Sequence, residues 1–231
     1  MCIFIAMNTN KSEKKFPTTD QTYPLEIANA LSHGLGCIVG IALLPVVTAI
    51  STRVDRISAI VAAAIYAFCF IMMFIFSTLY HAVQDPEAKF TLKKMDHISI
   101  FFLIAGTYTP FLLIYLLNSF GITLLSVLWS LALIGIFFKI LFAGRFKFIS
   151  TLIYLGMGWI LLVGGKTFIH AIPTPVMVMI FVGGGLYTLG VPFYLMKKWK
   201  YHHVTWHLFV LLGAICHYVA VLLAVIKSPI E

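Results

Sequence analysis

Charge is scarce in this sequence. Only 10% of its 231 residues are Asp, Glu, Lys or Arg, against about 25% in soluble domains, and the mean hydropathy is +1.01. A water-soluble globular domain is thereby excluded, and the chain reads as an integral membrane protein. The four cysteines, Cys2, Cys37, Cys69 and Cys216, form no CxxC pair, and three of them lie in apolar stretches. Neither a disulfide framework nor a thiolate metal cage is expected. Period-two alternation with turn signals is missing, which argues against a transmembrane barrel. There is no tandem repeat and no loop long enough to be a soluble domain. The opening run MCIFIAM, Met1 to Met7, is too short for a secretory apolar region, and its basic residues follow instead of preceding it, so no cleavage is expected.

Long apolar runs are what the chain does have. A helix crosses the hydrocarbon core with about 20 such residues, which predicts seven spans at 26–50, 58–82, 96–117, 121–142, 148–168, 173–196 and 203–226. The expected fold is all-α: a seven-transmembrane helix bundle over residues 23–231, preceded by a mobile polar lead at 1–22. Alternate loops then hold Lys11, Lys14 and Lys15; Lys89, Lys93 and Lys94; Lys139, Arg145 and Lys147; and Lys197, Lys198 and Lys200, twelve of the sixteen basic residues. Only Arg53, Arg56, Lys166 and Lys227 fall on the other side. Basic loops stay in the cytoplasm, so the N-terminus is expected inside and the C-terminus external or periplasmic. The formal net charge of +8 then follows from headgroup-facing loops and implies no nucleic acid.

Within this apolar chain a few polar residues need a reason. The run STLYH places Ser77 and His81 four residues apart, and HVTWH does the same for His203 and His207; that spacing puts both side chains on one helix face. Three neutral imidazoles from two helices suit a zinc ion and leave one tetrahedral position open, the pattern of a reactive site. Parity agrees: in a seven-span bundle the end of span 2 and the start of span 7 lie on the same side. So do Asp96, at the expected start of span 3, and Glu26, Asn29 and His33, which share one face of span 1.

Each residue also has a plainer reading. A lone buried histidine is usually a hydrogen-bonded core residue, and that reading is kept for His170 and His217, with His202 an interfacial residue. Asp96 could cap the N-terminus of span 3; beside a metal it could instead accept a proton from water. Ser77 could back-bond to a carbonyl one turn earlier, or donate to a substrate. Glu26, Asn29 and His33 are read as structural support or an outer layer around the metal, with His33 a substitute ligand. Pro110, in the run GTYTP, is expected to kink span 3.

Taken together, the runs EIANALSHGLG (Glu26 to Gly36), STLYHA (Ser77 to Ala82), KMDH (Lys94 to His97), LIAGTYTPF (Leu103 to Phe111) and YHHVTWHLFV (Tyr201 to Val210) resemble the haemolysin III proteins of bacteria. These are grouped with the progestin and adiponectin receptors and, more distantly, the alkaline ceramidases. The resemblance implies a zinc ion held by residues matching His81, His203 and His207. It also implies that Ser77 and Asp96 act near the metal in hydrolysis of a lipid amide or ester, in a multi-pass protein of the bacterial inner (plasma) membrane whose partners are membrane lipids and a lipid-like substrate or ligand. The short lead carries no expectation of receptor signalling. Two alternatives stand beside the hydrolase: a membrane-permeabilising pore, as the family's name for cytolysis implies, and a lipid sensor or receptor with a structural zinc. A pore needs a polar stripe through the full bilayer, and little lies beyond Thr107 and Thr109.

The charge asymmetry generates a direct test. Reporter fusions at the two termini should place the N-terminus in the cytoplasm and the C-terminus outside. Both termini on the same side would overturn the odd number of spans.

Overall fold

The described residues fold almost entirely as helices separated by short breaks. The computed structural model describes residues 22–53, 57–142, 146–196 and 198–228; the polar lead expected at 1–22 lies outside them except for Thr22. Among the described residues there are eight helices and no strand: α1 (Tyr23–Arg53), α2 (Ile57–Ala82), α3 (Pro86–Tyr115), α4 (Ser119–Leu141), α5 (Lys147–Gly158), α6 (Leu161–Ala171), α7 (Thr174–Leu195) and α8 (His202–Ile226). Because α5 and α6 form one span, seven segments are long and apolar enough to cross a membrane. Their outward faces carry large apolar side chains such as Leu31, Ile38, Ile134 and Phe137, as a bundle in lipid requires.

Local chemistry sets the helix ends. The side chain of Asp85 accepts a hydrogen bond from Ala88 N at 2.8 Å, and Pro86 occupies the first turn, where a missing N–H costs nothing. Asn118 caps α4 through Gly121 N at 3.0 Å. The cap at Asp85 corrects one expectation: α3 begins at Pro86, so Asp96 lies ten residues inside it and caps nothing. Residues 86–95 are too charged to enter an apolar window, yet they continue the helix beyond it.

One span is interrupted at a place that the sequence did not mark. α3 runs unbroken past Pro110, with Thr107 Oγ1 bonded to Leu103 O at 2.7 Å and Thr109 Oγ1 to Ala105 O at 2.9 Å. A break falls in span 5, between Gly158 and Leu161, followed by Gly165 at φ +49°. The carbonyl of Gly158 accepts the Tyr108 hydroxyl, so the broken backbone is satisfied by a neighbour, as irregular structure at membrane depth must be.

α8 completes the bundle by packing on α7 and also on α1, α2 and α3. Its seam with α2 is aromatic: Tyr66 and Phe70 meet Tyr218 at ring distances of 5.6 and 5.3 Å. This seam fixes the sliding register of the two helices that carry the histidine motifs. Against α7 the approach is backbone to backbone. A Cβ on Gly183 would lie 3.0 Å from Gly213 O and 2.4 Å from the His217 ring, so small residues are required at this crossing.

The crossing predicts a contrast between neighbours. Gly183→Leu should destabilise the detergent-solubilised protein by about 1–3 kcal/mol, the usual cost of overpacking, whereas Gly185→Leu, which meets nothing within 4 Å, should leave the melting temperature unchanged. Equal melting of the two variants would contradict the close crossing.

Candidate metal centre

At one end of the bundle α2 and α8 bring three imidazoles together. One ring nitrogen from each of His81, His203 and His207 lies within 4.8 Å of the others, a group that can hold a metal ion. Ring centroids are 4.8 Å apart for His81 and His207, 4.7 Å for His203 and His207, and 5.3 Å for His81 and His203. His81 and His207 are buried, while His203 is half-buried.

The outward nitrogens are held from behind. His81 Nδ1 lies 2.6 Å from Glu26 Oε2, and the same carboxylate oxygen is 3.3 Å from Lys89 Nζ. A carboxylate on Nδ1 fixes the proton there and turns the Nε2 lone pair to the cluster. That Nε2 atom is buried and has no hydrogen-bond partner. His207 Nδ1 is 3.4 Å from Ser32 Oγ, whose own hydrogen is donated to Asn29 O at 2.8 Å. Ser32 can therefore only accept from His207, which leaves the His207 Nε2 lone pair available as well. An orphaned, buried imidazole nitrogen aimed at two others is costly unless something binds it; the donor set fits zinc.

The remaining expected residues separate into two groups. Ser77 and Asp96 line the same cavity as the three histidines, with the Ser77 hydroxyl near enough to act on the Asp96 carboxylate. The back-bond contemplated for Ser77 is made by its neighbour, Thr78 to Phe74 O at 2.7 Å. On α1, Glu26 touches His81 directly, but Asn29 and His33 do not join the cluster. The His33 ring stacks on His207 at 3.7 Å and meets Phe74 edge-on at 5.1 Å; its two nitrogens and the Asn29 amide have no hydrogen-bond partner. His202 and His217 bond to the carbonyls of Phe193 and Ile180, at 3.0 and 3.1 Å. His170 is exposed in the last turn of α6.

The cavity behind the cluster has a volume of about 700 Å³ and reaches past Thr107 and Trp159 to His217. Fourteen residues of α8 separate His203 from His217, a depth of about 21 Å at 1.5 Å per residue. Thr109 is turned away from it and accepts from Trp129 Nε1 at 3.3 Å. Sequence reasoning missed the parts played by Ser32 and Lys89. Ser32 lies next to His33 in a quoted motif, but nothing in its spacing points across to α8.

A family model described as Haemolysin-III related matches residues 21–218. Hemolysin-3 of Bacillus cereus is 40% identical over 203 residues, covering 88% of this chain and 93% of that protein. A Hemolysin-3 homolog of Bacillus subtilis (strain 168) is 40% identical over 204 residues, covering 88% and 96%. At 27% identity over 179 residues, 74% of this chain also matches 73% of the human Monocyte to macrophage differentiation factor.

Proposed function

The chain belongs to the haemolysin-III-related family, and on that premise we propose that it is a zinc-dependent hydrolase of a lipid amide or ester, embedded in the inner (plasma) membrane of a bacterium with its N-terminus in the cytoplasm. The observation that carries this reading is the His81 Nε2 atom, buried without a partner while Glu26 occupies the other nitrogen. His81, His203 and His207 would hold the zinc ion. When bound, that ion supplies Lewis-acid polarisation of a carbonyl and lowers the pKa of a water.

The chain's own residues do the rest. Glu26 holds the His81 proton on Nδ1 and, with Lys89, closes the space behind the ring. Asp96, on the cavity wall beside the cluster, accepts a proton from the attacking water and returns it to the leaving amine or alcohol. Ser77 donates to Asp96 and keeps that carboxylate turned to the reacting side. The apolar length of the cavity takes a long acyl chain and excludes bulk water from the bond being cleaved. A pore requires a polar stripe through the bundle, and Thr109, one residue that would carry it, is bonded to Trp129 away from the cavity. The name Hemolysin-3 is that of the Bacillus cereus relative.

Metal content tests the ligands. The purified protein should carry about one zinc per chain, and His81→Ala, His203→Ala and His207→Ala should each remove it. Glu26→Gln should weaken zinc affinity about 10- to 100-fold without abolishing it, the usual result of altering a group behind a ligand. Full occupancy in two of the three alanine variants would reject the assignment.

Turnover separates the hydrolase from a sensor with structural zinc. Asp96→Asn should retain zinc yet lose about 10²- to 10⁴-fold in the rate of cleavage of long-chain acyl-amide lipids in micelles, with His203→Ala as the blank. A zinc-loaded wild type inactive across a broad lipid panel would favour the sensor. Loss of zinc in Asp96→Asn would remove its assignment as base.

A further inference from the structure

Beside the histidine cluster lies a second, cationic group that the hydrolytic chemistry does not use. Lys93 and His97 stand one turn apart on α3, Lys147 opens α5, and Lys139 lies in the last turn of α4. Lys93, His97 and Lys147 line the cavity together with Asp96, the one acid on its wall among the described residues. Lys139 is 3% exposed, and the charges acting on it are those of Lys93 and Lys147. His97 is within the field of all three lysines. Lys147 also acts on His203, and Lys93 on Asp96, so the cationic group adjoins the candidate metal centre.

Loop lysines near headgroups need no special account, but Lys139 differs from its neighbours. Lys89 is paired with Glu26 at 3.3 Å, and Lys94 lies over the Phe90 ring at 4.4 Å. Lys139, by contrast, is withdrawn from water among like charges, an arrangement that is unfavourable until an anion joins it. Lys93 and His97 from α3 and Lys147 from α5 face one cavity; such donors suit a group with several acceptor oxygens, and basic pockets between membrane helices bind phosphate headgroups.

We propose that Lys93, Lys147 and His97 bind a phosphate group, with Lys139 adding its charge from behind them, and that a lipid carries it, with its acyl chain lying along the apolar cavity. Joined to the hydrolase reading, on which this last step rests, the site narrows the substrate class to phosphate-bearing lipid amides or esters. Phosphate binding itself stands apart from that reading.

The test is retention of dioleoyl phosphatidic acid by the full-length protein, measured by native mass spectrometry against dioleoyl phosphatidylcholine. Wild type should prefer phosphatidic acid. Lys139→Met should weaken its binding roughly fivefold, and the double variant Lys93→Gln with Lys147→Gln roughly 25-fold, at about 1 kcal/mol per charge. Lys198→Gln, exposed and away from the cavity wall, should bind as wild type. Wild-type protein treated with a metal chelator should also retain the lipid, which separates this site from the metal assignment. If Lys139→Met does not fold, the double variant decides. Displacement by millimolar inorganic phosphate would keep the anion site but overturn a lipid source. Unchanged binding in the double variant, or equal binding of the two lipids by wild type, would overturn the proposal.

Discussion

A carboxylate buried within a membrane bundle must be met by something charged or hydrogen-bonding, and here Glu26 is met by His81 from α2 and Lys89 from α3. Three helices are thereby joined at one point by groups that would each be costly alone. The contact also does chemical work, since it decides which nitrogen of His81 carries the proton. From that tautomer follows the bare Nε2 atom, and from the bare atom the case for a metal. Had Glu26 been absent, His81 could have turned either nitrogen inward and the cluster would have no defined donor set.

α8 gives the second half of the arrangement. Its aromatic seam with α2 and its close backbone crossing with α7 hold His203 and His207 at a set height against His81. Ser32 from α1 then settles the tautomer of His207. Two of the three imidazoles, His81 and His207, are thus oriented by different neighbours, Glu26 and Ser32.

Much of the fold was legible in the sequence because membrane spans are set by length and hydropathy, and the spacing of Ser77 with His81 and of His203 with His207 fixes a shared helix face. Their meeting followed from parity alone. What hydropathy cannot report is helix that continues outside the apolar window, which is why α3 extends back to Pro86 and Asp96 sits in mid-helix. It is equally blind to a break among apolar residues: Gly158 to Leu161 is as hydrophobic as its surroundings, and the interruption depends on Tyr108 supplying a hydroxyl from another helix. Ser32 and Lys89 escaped notice for a related reason, because each acts on a residue far away in the chain.

The divided fifth span has a consequence for how the protein meets bilayers of different thickness. α5 and α6 are two short rods joined at a glycine-bearing bend, with Gly165 in a left-handed conformation just beyond it. A continuous helix answers hydrophobic mismatch by tilting along its whole length, which would move Lys147, Thr151 and Tyr154 on the cavity wall. A jointed one can take up the change in α6, at the end of the bundle remote from the histidines, and leave the wall beside them where it is.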